Sequence, residues 1–255
     1  MLLDELGQYF YFYHPRQFQS LLEAAGIPDV ETINLFFGET FKVDGQVQAS
    51  SSRHKAVINC ISLFNRFSEE CLDCAAAAPR ADAETLRLLL KMYEAYRQSL
   101  APPGAPAQVD FSLLQQKAFE ALESFDGAGK VFQHVIIDEY QDTNAIQERL
   151  FFKLAGGYQN LCVVGDDDQA LYRFRGATVE NFVQFPRRVE QHWQREPTKI
   201  PLSVNYRSRG DIVRFYTEFI DRCDWRHADS GGHYRIVDKD IKAHSTAWLR
   251  PATSW

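Results

Sequence analysis

The chain has 255 residues, 45% hydrophobic and 24% charged, with 28 Lys and Arg against 34 Asp and Glu for a formal net charge of −6. That length supports a sizeable core in one large domain or two modest ones. The composition excludes a disordered chain, a collagen and a disulfide scaffold, and the acidic total argues mildly against a nucleic-acid partner.

Asp4 and Glu5 stand where a signal peptide needs a basic region, and no run approaches the roughly 18 apolar residues of a membrane span. The expectation is a cytoplasmic protein with no membrane contact. The five cysteines, Cys60, Cys71, Cys74, Cys162 and Cys223, are odd in number and suit a reducing compartment. Cys71 and Cys74 form a single C-x-x-C without the second ligand pair of a structural zinc site, so they read as two cysteines a helical turn apart.

In chain order, residues 1 to about 100 read as helical. Phe18, Leu21, Leu22 and Ala25 recur at helical spacing until Gly26 and Pro28 stop the helix. Val57, Ile58, Ile61, Leu63 and Phe64 form a second apolar face, and Ala83 to Leu100 places Leu86, Leu89, Leu90, Tyr93 and Tyr96 on one side of a third helix. Gly38 to Arg53 is polar and reads as a loop. Ala101 to Ala107, APPGAPA, cannot continue a helix and marks a boundary. A helix follows over Phe111 to Phe125, then a β-branched strand over Val131 to Ile137. Asn144 and Gln147 are spaced as a capping box for a helix to Leu154 that ends at Gly156 and Gly157. Leu161 to Val164 is a second apolar strand, giving a β-α-β unit with a parallel sheet. A further unit begins at Pro201 and includes a helix over Asp211 to Ile220.

Both strands end in acids. Asp138 and Glu139 follow Val135-Ile136-Ile137, and Asp166, Asp167 and Asp168 follow the second strand. In a parallel sheet, ligands gather at the carboxyl ends of strands. An Asp-Glu pair there suits Walker B chemistry: Asp138 holding Mg²⁺ and Glu139 orienting and deprotonating the attacking water of nucleoside triphosphate hydrolysis. Alone, such a pair is usually a solvated turn. Three successive aspartates repel one another unless a cation or a basic neighbour is near. Tyr172, Arg173, Phe174 and Arg175 then alternate aromatic and basic residues, a pattern that stacks bases and pairs phosphates. For Tyr172 a place in the core is an equal alternative; for Phe174, between two arginines, the nucleic-acid reading is preferred.

VIIDEYQDTN (135–144), VVGDDDQALYRFRGA (163–177) and LSVNYRS (202–208) resemble motifs II, III and IV of the UvrD/Rep/PcrA group of superfamily 1 DNA helicases, in order and spacing. The resemblance implies an α/β fold: part of a RecA-like P-loop NTPase domain with an α-helical subdomain and the start of a second RecA-like domain. On it, 1–107 is the helical subdomain with its Pro-rich boundary, 108–200 part of the first RecA-like domain, and 201–255 the start of the second. It assigns Asp138 to Mg²⁺ and Glu139 to the catalytic base. Gln141 matches the motif II glutamine, Gln169 the motif III glutamine that senses the γ-phosphate, Tyr206 a tyrosine stacking on adenine and Arg207 an arginine reaching the γ-phosphate. Tyr172, Phe174 and Arg175 match the segment contacting single-stranded DNA.

The implied partners are ATP, single-stranded DNA and single-strand/duplex junctions. The chain has no G-x-x-x-x-G-K-[ST] loop; Gly127-Ala128-Gly129-Lys130-Val131 lacks the first glycine and the hydroxyl and reads as a helix C-terminal turn. The expectation is therefore an internal slice of an ATP-dependent helicase, missing N- and C-terminal parts of the same motor. The alternative is a non-catalytic module binding single-stranded DNA or a protein. A metal nuclease centre built from Asp138 and Asp166 to Asp168 is set aside by the motif context. Charge is also zoned: residues 134–170 hold seven acids against two bases, and residues 171–226 eleven bases against seven acids.

Overall fold

A computed structural model describes residues 1–27, 40–43, 46–49, 53–81, 83–170, 179–225, 235–236 and 239–244. The chain is an α/β protein, and among the described residues its strands form four two-stranded sheets. It divides into two compact units, one of residues 1–133 and 144–158, the other of residues 134–143 and 159–255.

In the first unit, β1 (Leu2–Leu3) pairs in parallel with β4 (Val109–Asp110), and β2 (Thr40–Val43) pairs antiparallel with β3 (Gln46–Ala49). That hairpin corrects the loop expected over 38–53: the polar composition hid two four-residue strands joined by a two-residue connection. Among the described residues the helices are Glu5–Tyr13, Pro15–Ala25, Arg53–Glu69, the short Cys74–Ala77, Glu84–Leu100, Phe111–Glu123 and Ala145–Ala155. The expected faces are buried at Phe18, Leu21, Leu22, Ala25, Val57, Phe64, Leu89, Leu90, Tyr93 and Tyr96, whereas Ile58 and Leu86 lie at the solvent edges of their helices. Cys71 sits at a left-handed φ of 51° in the turn after its helix, and Cys74 opens the next one. The two are therefore not on one helical face.

An aromatic cluster centres this unit. Phe12 and Tyr96 have ring centroids 4.7 Å apart, and Phe64 stacks on Tyr96 at 5.6 Å. Burying such rings supplies much of the apolar driving force. The Tyr96 hydroxyl donates to Asp110 Oδ2 at 2.7 Å, and Gln8 Nε2 reaches the same oxygen at 3.3 Å. Burial, and then the Asp110 charge, push the Tyr96 phenol far above its ordinary pKa. Asp110 Oδ1 meanwhile accepts from Leu113 N at 2.7 Å, capping the Phe111–Glu123 helix. Asn144 caps Ala145–Ala155 in the expected capping box.

After Phe111–Glu123 comes a 3₁₀ turn, Ala128–Lys130. Gly157 N donates to Gly129 O at 3.0 Å, and a Cβ on Gly157 would lie 2.4 Å from that oxygen. These glycines serve a close backbone approach.

In the second unit, β5 (Val135–Ile137) and β6 (Leu161–Val163) are parallel, with Val135 opposite Leu161 and Ile137 opposite Val163. β5 starts four residues later than expected, because its ladder with β6 begins only at Val135. Helices Val179–Val183 and Phe185–Trp193 follow, then β7 (Val204–Asn205), helix Gly210–Asp221 and β8 (Lys242–Ala243), which pairs in parallel with β7. Among the described residues no helix is long and apolar enough to cross a membrane.

Asp110 carries both a helix cap and the buried Tyr96 and Gln8 bonds. Asp110→Ala should therefore lower stability by roughly 2–4 kcal/mol, against about 1 kcal/mol for Asp4→Ala, which removes only the cap on Gly7 N. Urea unfolding followed by far-UV circular dichroism measures both.

Candidate functional site

The parallel ladder continues past the strands into the loops that follow them. Val164 N donates to Ile137 O at 2.8 Å, and Tyr140 N donates to Val164 O at 3.0 Å. This brings the Asp138–Asp142 loop alongside the Gly165–Gln169 loop. Tyr140 anchors the first loop from beneath: it is fully buried, with its ring 5.2 Å from that of Phe185 in an edge contact. At Thr143 the loop is fixed again, since Asn181 Nδ2 donates to its carbonyl at 3.1 Å.

Asp138 and Glu139 are exposed beyond the end of β5. Glu139 adopts φ 51° and ψ 41°, a left-handed conformation uncommon for a residue with a side chain. The bend lets Glu139 N donate to Asp138 Oδ1 at 2.9 Å. Burial, and then the Glu139 charge, raise the pKa of Asp142.

Gln141 is 2% exposed and joins the two loops. Its Nε2 donates to Glu139 Oε2 at 2.6 Å, and its Oε1 accepts from Asp166 N at 3.1 Å. Gly165 makes room for it: a Cβ there would lie 2.4 Å from Gln141 Oε1 and 2.9 Å from a carbon of Phe182. Asp166 caps the 3₁₀ turn Asp167–Gln169, accepting from Asp168 N at 3.2 Å and from Gln169 Nε2 at 2.9 Å.

The structure thus brings Glu139, Gln141 and, through Asp166, Gln169 into one hydrogen-bonded series. Tyr206 and Arg207 stand apart from it. Asn205 Oδ1 accepts from Arg207 N at 2.9 Å and Ser208 N at 2.7 Å, shaping a turn that leaves Tyr206 77% exposed. The Tyr206 ring lies against His244, with centroids 4.7 Å apart. Among the described residues no hydrogen bond or ion pair joins Tyr206 or Arg207 to Asp138, Glu139 or Gln169. Tyr172, Phe174 and Arg175 lie outside the described residues.

Gly165, Arg235 and Lys239 escape sequence reasoning. The aspartate run signals a need for positive charge, but its partners are about 70 residues away: Arg235 holds Asp168, and Lys239 holds Asp166, Asp167 and Asp168.

The UvrD/REP helicase N-terminal domain family matches residues 3–190. The chain belongs to this family. Among its relatives, the ATP-dependent DNA helicase PcrA of Staphylococcus epidermidis is 34% identical over 153 residues, covering 57% of this chain and 20% of that protein. The PcrA of Bacillus subtilis is 43% identical over 101 residues, 40% of this chain and 13% of its own length. DNA helicase II of Haemophilus influenzae is 34% identical over 135 residues, 51% and 17% respectively. The chain therefore spans about a fifth or less of these curated relatives.

Adding a methyl group at Gly165 should expel Gln141 from its place. Gly165→Ala is expected to destabilise this unit by roughly 1–3 kcal/mol, whereas Gly210→Ala, whose added carbon meets only Ala243 Cβ at 3.8 Å, should change little. Tryptophan fluorescence during urea unfolding checks this, because all four tryptophans lie beyond residue 159.

Proposed function

We propose that this chain carries the hydrolytic centre and part of the DNA-contacting surface of an ATP-dependent DNA helicase. On this reading, Mg-ATP hydrolysis drives movement along single-stranded DNA and the opening of duplex at single-strand/duplex junctions. The observation that carries it is the Gln141 bridge, which ties the Asp138-Glu139 pair to the Asp166–Gln169 loop. Family membership supports the reading, as do relatives named as ATP-dependent DNA helicases. The domain scheme belongs to the same proposal: 1–107 a helical subdomain, 108–200 part of a RecA-like domain and 201–255 the start of a second.

Asp138 would hold Mg²⁺. The fit is sound, since Mg²⁺ is commonly bound by one or two carboxylates together with substrate phosphates and water, and the Asp138 carboxylate is exposed at the carboxyl end of β5. When bound, the ion supplies neutralisation of phosphate charge. Glu139 accepts the proton of the attacking water, with its Oε2 held by Gln141 Nε2 so that the carboxylate is aimed before the water arrives. Gln169 faces the γ-phosphate as a hydrogen-bond partner. Arg207 contributes a guanidinium to the same phosphate when the site closes, and Tyr206 offers a flat exposed face for adenine. Tyr172, Phe174 and Arg175 contact single-stranded DNA by stacking and phosphate pairing, which needs no base sequence.

One observation favours a second reading for these 255 residues alone: they contain no phosphate-cradling G-x-x-x-x-G-K-[ST]. As an isolated chain they would then be a module that binds single-stranded DNA or a protein. Titration of the 255-residue chain with Mg-ATP separates the two. Tight binding with turnover refutes the module, and absence of binding supports it for the isolated chain.

In the protein that contains this chain, Glu139→Gln should reduce DNA-stimulated ATP hydrolysis by about 10²-fold or more, with DNA affinity retained. Steady-state phosphate release measures it. An unchanged rate would refute the role of Glu139.

A further inference from the structure

The acidic loop is not left to repel itself. Arg235 is 8% exposed and grips Asp168 in a two-pronged pair, Nε to Oδ1 at 2.6 Å and Nη2 to Oδ2 at 3.1 Å. Its third nitrogen, Nη1, donates to Asp221 Oδ1 at 2.8 Å, on the last residue of the Gly210–Asp221 helix. Lys239 Nζ lies 3.0 Å from Asp166 Oδ1, 2.5 Å from Asp167 Oδ1 and 2.9 Å from Asp168 Oδ2. Between them, Ile236 N donates to Asp167 Oδ2 at 2.7 Å. Every aspartate of the run is therefore held by this one short basic segment.

Asp166 passes the constraint on. One of its oxygens faces Lys239, and the other accepts from Gln169 Nε2 at 2.9 Å. Its backbone N–H donates to Gln141, which holds Glu139. The series runs without a break from the end of the Gly210–Asp221 helix through Arg235, the three aspartates and Lys239 to Gln169 and Glu139.

We propose that Arg235 and Lys239 are positioning residues for the reaction: they clamp the Asp166–Gln169 loop to the Gly210–Asp221 helix and so set where the Gln169 side chain stands. No motif of the sequence contains either residue, and neither touches Asp138 or Glu139 among the described residues. The physical reason is charge compensation. Removing one cation from a cluster this enclosed leaves carboxylates facing each other without a counter-charge, and the loop must open to hydrate them. For Lys239 and Asp166 the surroundings favour the charged form. Burial pulls the Lys239 pKa down, and the bonds to Asp167, Asp168 and Asp166 more than offset it, leaving it above that of an ordinary lysine. Burial likewise raises Asp166, and the bonds from Gln169 and Lys239 outweigh it, leaving that carboxyl below its usual range.

The proposal rests on Gln169 as the γ-phosphate partner, so its test has one arm without nucleotide and one with it. In the first, hydrogen exchange of residues 165–170 is followed in the 255-residue chain. Lys239→Gln should accelerate it by about tenfold, Lys239→Arg should restore it, and Glu84–Leu100 should be unaffected. In the second, run on the protein that contains this chain, Lys239→Gln and Arg235→Gln should each lower kcat for DNA-stimulated ATP hydrolysis by about tenfold with KM within about twofold, and Lys239→Arg should recover it. Unchanged exchange in Lys239→Gln overturns the clamp. Faster exchange with unchanged kcat overturns the positioning role. If the unaltered protein hydrolyses no ATP with DNA present, the ATPase reading fails, and the exchange arm still decides the clamp.

Discussion

The side-chain amide of Gln141 is buried, and both of its ends are satisfied by groups from different loops: Glu139 at the end of β5, and the backbone of Asp166 after β6. A buried amide without partners costs about 1–3 kcal/mol, so the pairing holds the two strand ends in one arrangement. The other features of the site follow from it. Residue 165 must be glycine, because any Cβ there meets the Gln141 oxygen. Glu139 must turn into the left-handed region for its carboxylate to face the Gln141 nitrogen. The parallel register of β5 and β6 sets the distance that the amide spans.

Charge is organised around the same loops. The net −6 of the chain conceals an acidic zone at the strand ends and a basic zone after it. The acids divide further in the structure. Asp138 and Glu139 are exposed and open to a cation, while Asp167 is buried, Asp168 is half-buried, and both are already neutralised by Arg235 and Lys239. An acidic loop with its own protein counter-ions is a positioned element, and on the proposed function the carboxylates beside it are the ones left for chemistry.

Much of the architecture was legible because it depends on local spacing. The buried faces of Pro15–Ala25 and Glu84–Leu100 and the Asn144 capping box each rest on residues within a few turns of one another. What was not legible depends on partners elsewhere. The aromatic run of Glu5–Tyr13 lies in the stretch read as helical, but which of its rings face the core was not visible; Phe12 is buried by meeting Phe64 and Tyr96. The hairpin β2–β3 is too polar to stand out, and the start of β5 is decided by where β6 begins. In the site, the motif residues Asp138, Glu139, Gln141 and Gln169 were visible as strings. That Gln141 links Glu139 to the Asp166 backbone was not, nor was the distant source of the positive charge, because both are three-dimensional coincidences.

The most direct measurement is the exchange rate of the Asp166 backbone amide in the ¹⁵N-labelled chain, with and without Gln141→Ala. If Gln141 joins the two strand ends, losing its oxygen should speed exchange at Asp166, 25 residues away in sequence, by about tenfold, with the amides of Glu84–Leu100 unchanged. An Asp166 amide that exchanges at the same rate in both proteins would contradict the account.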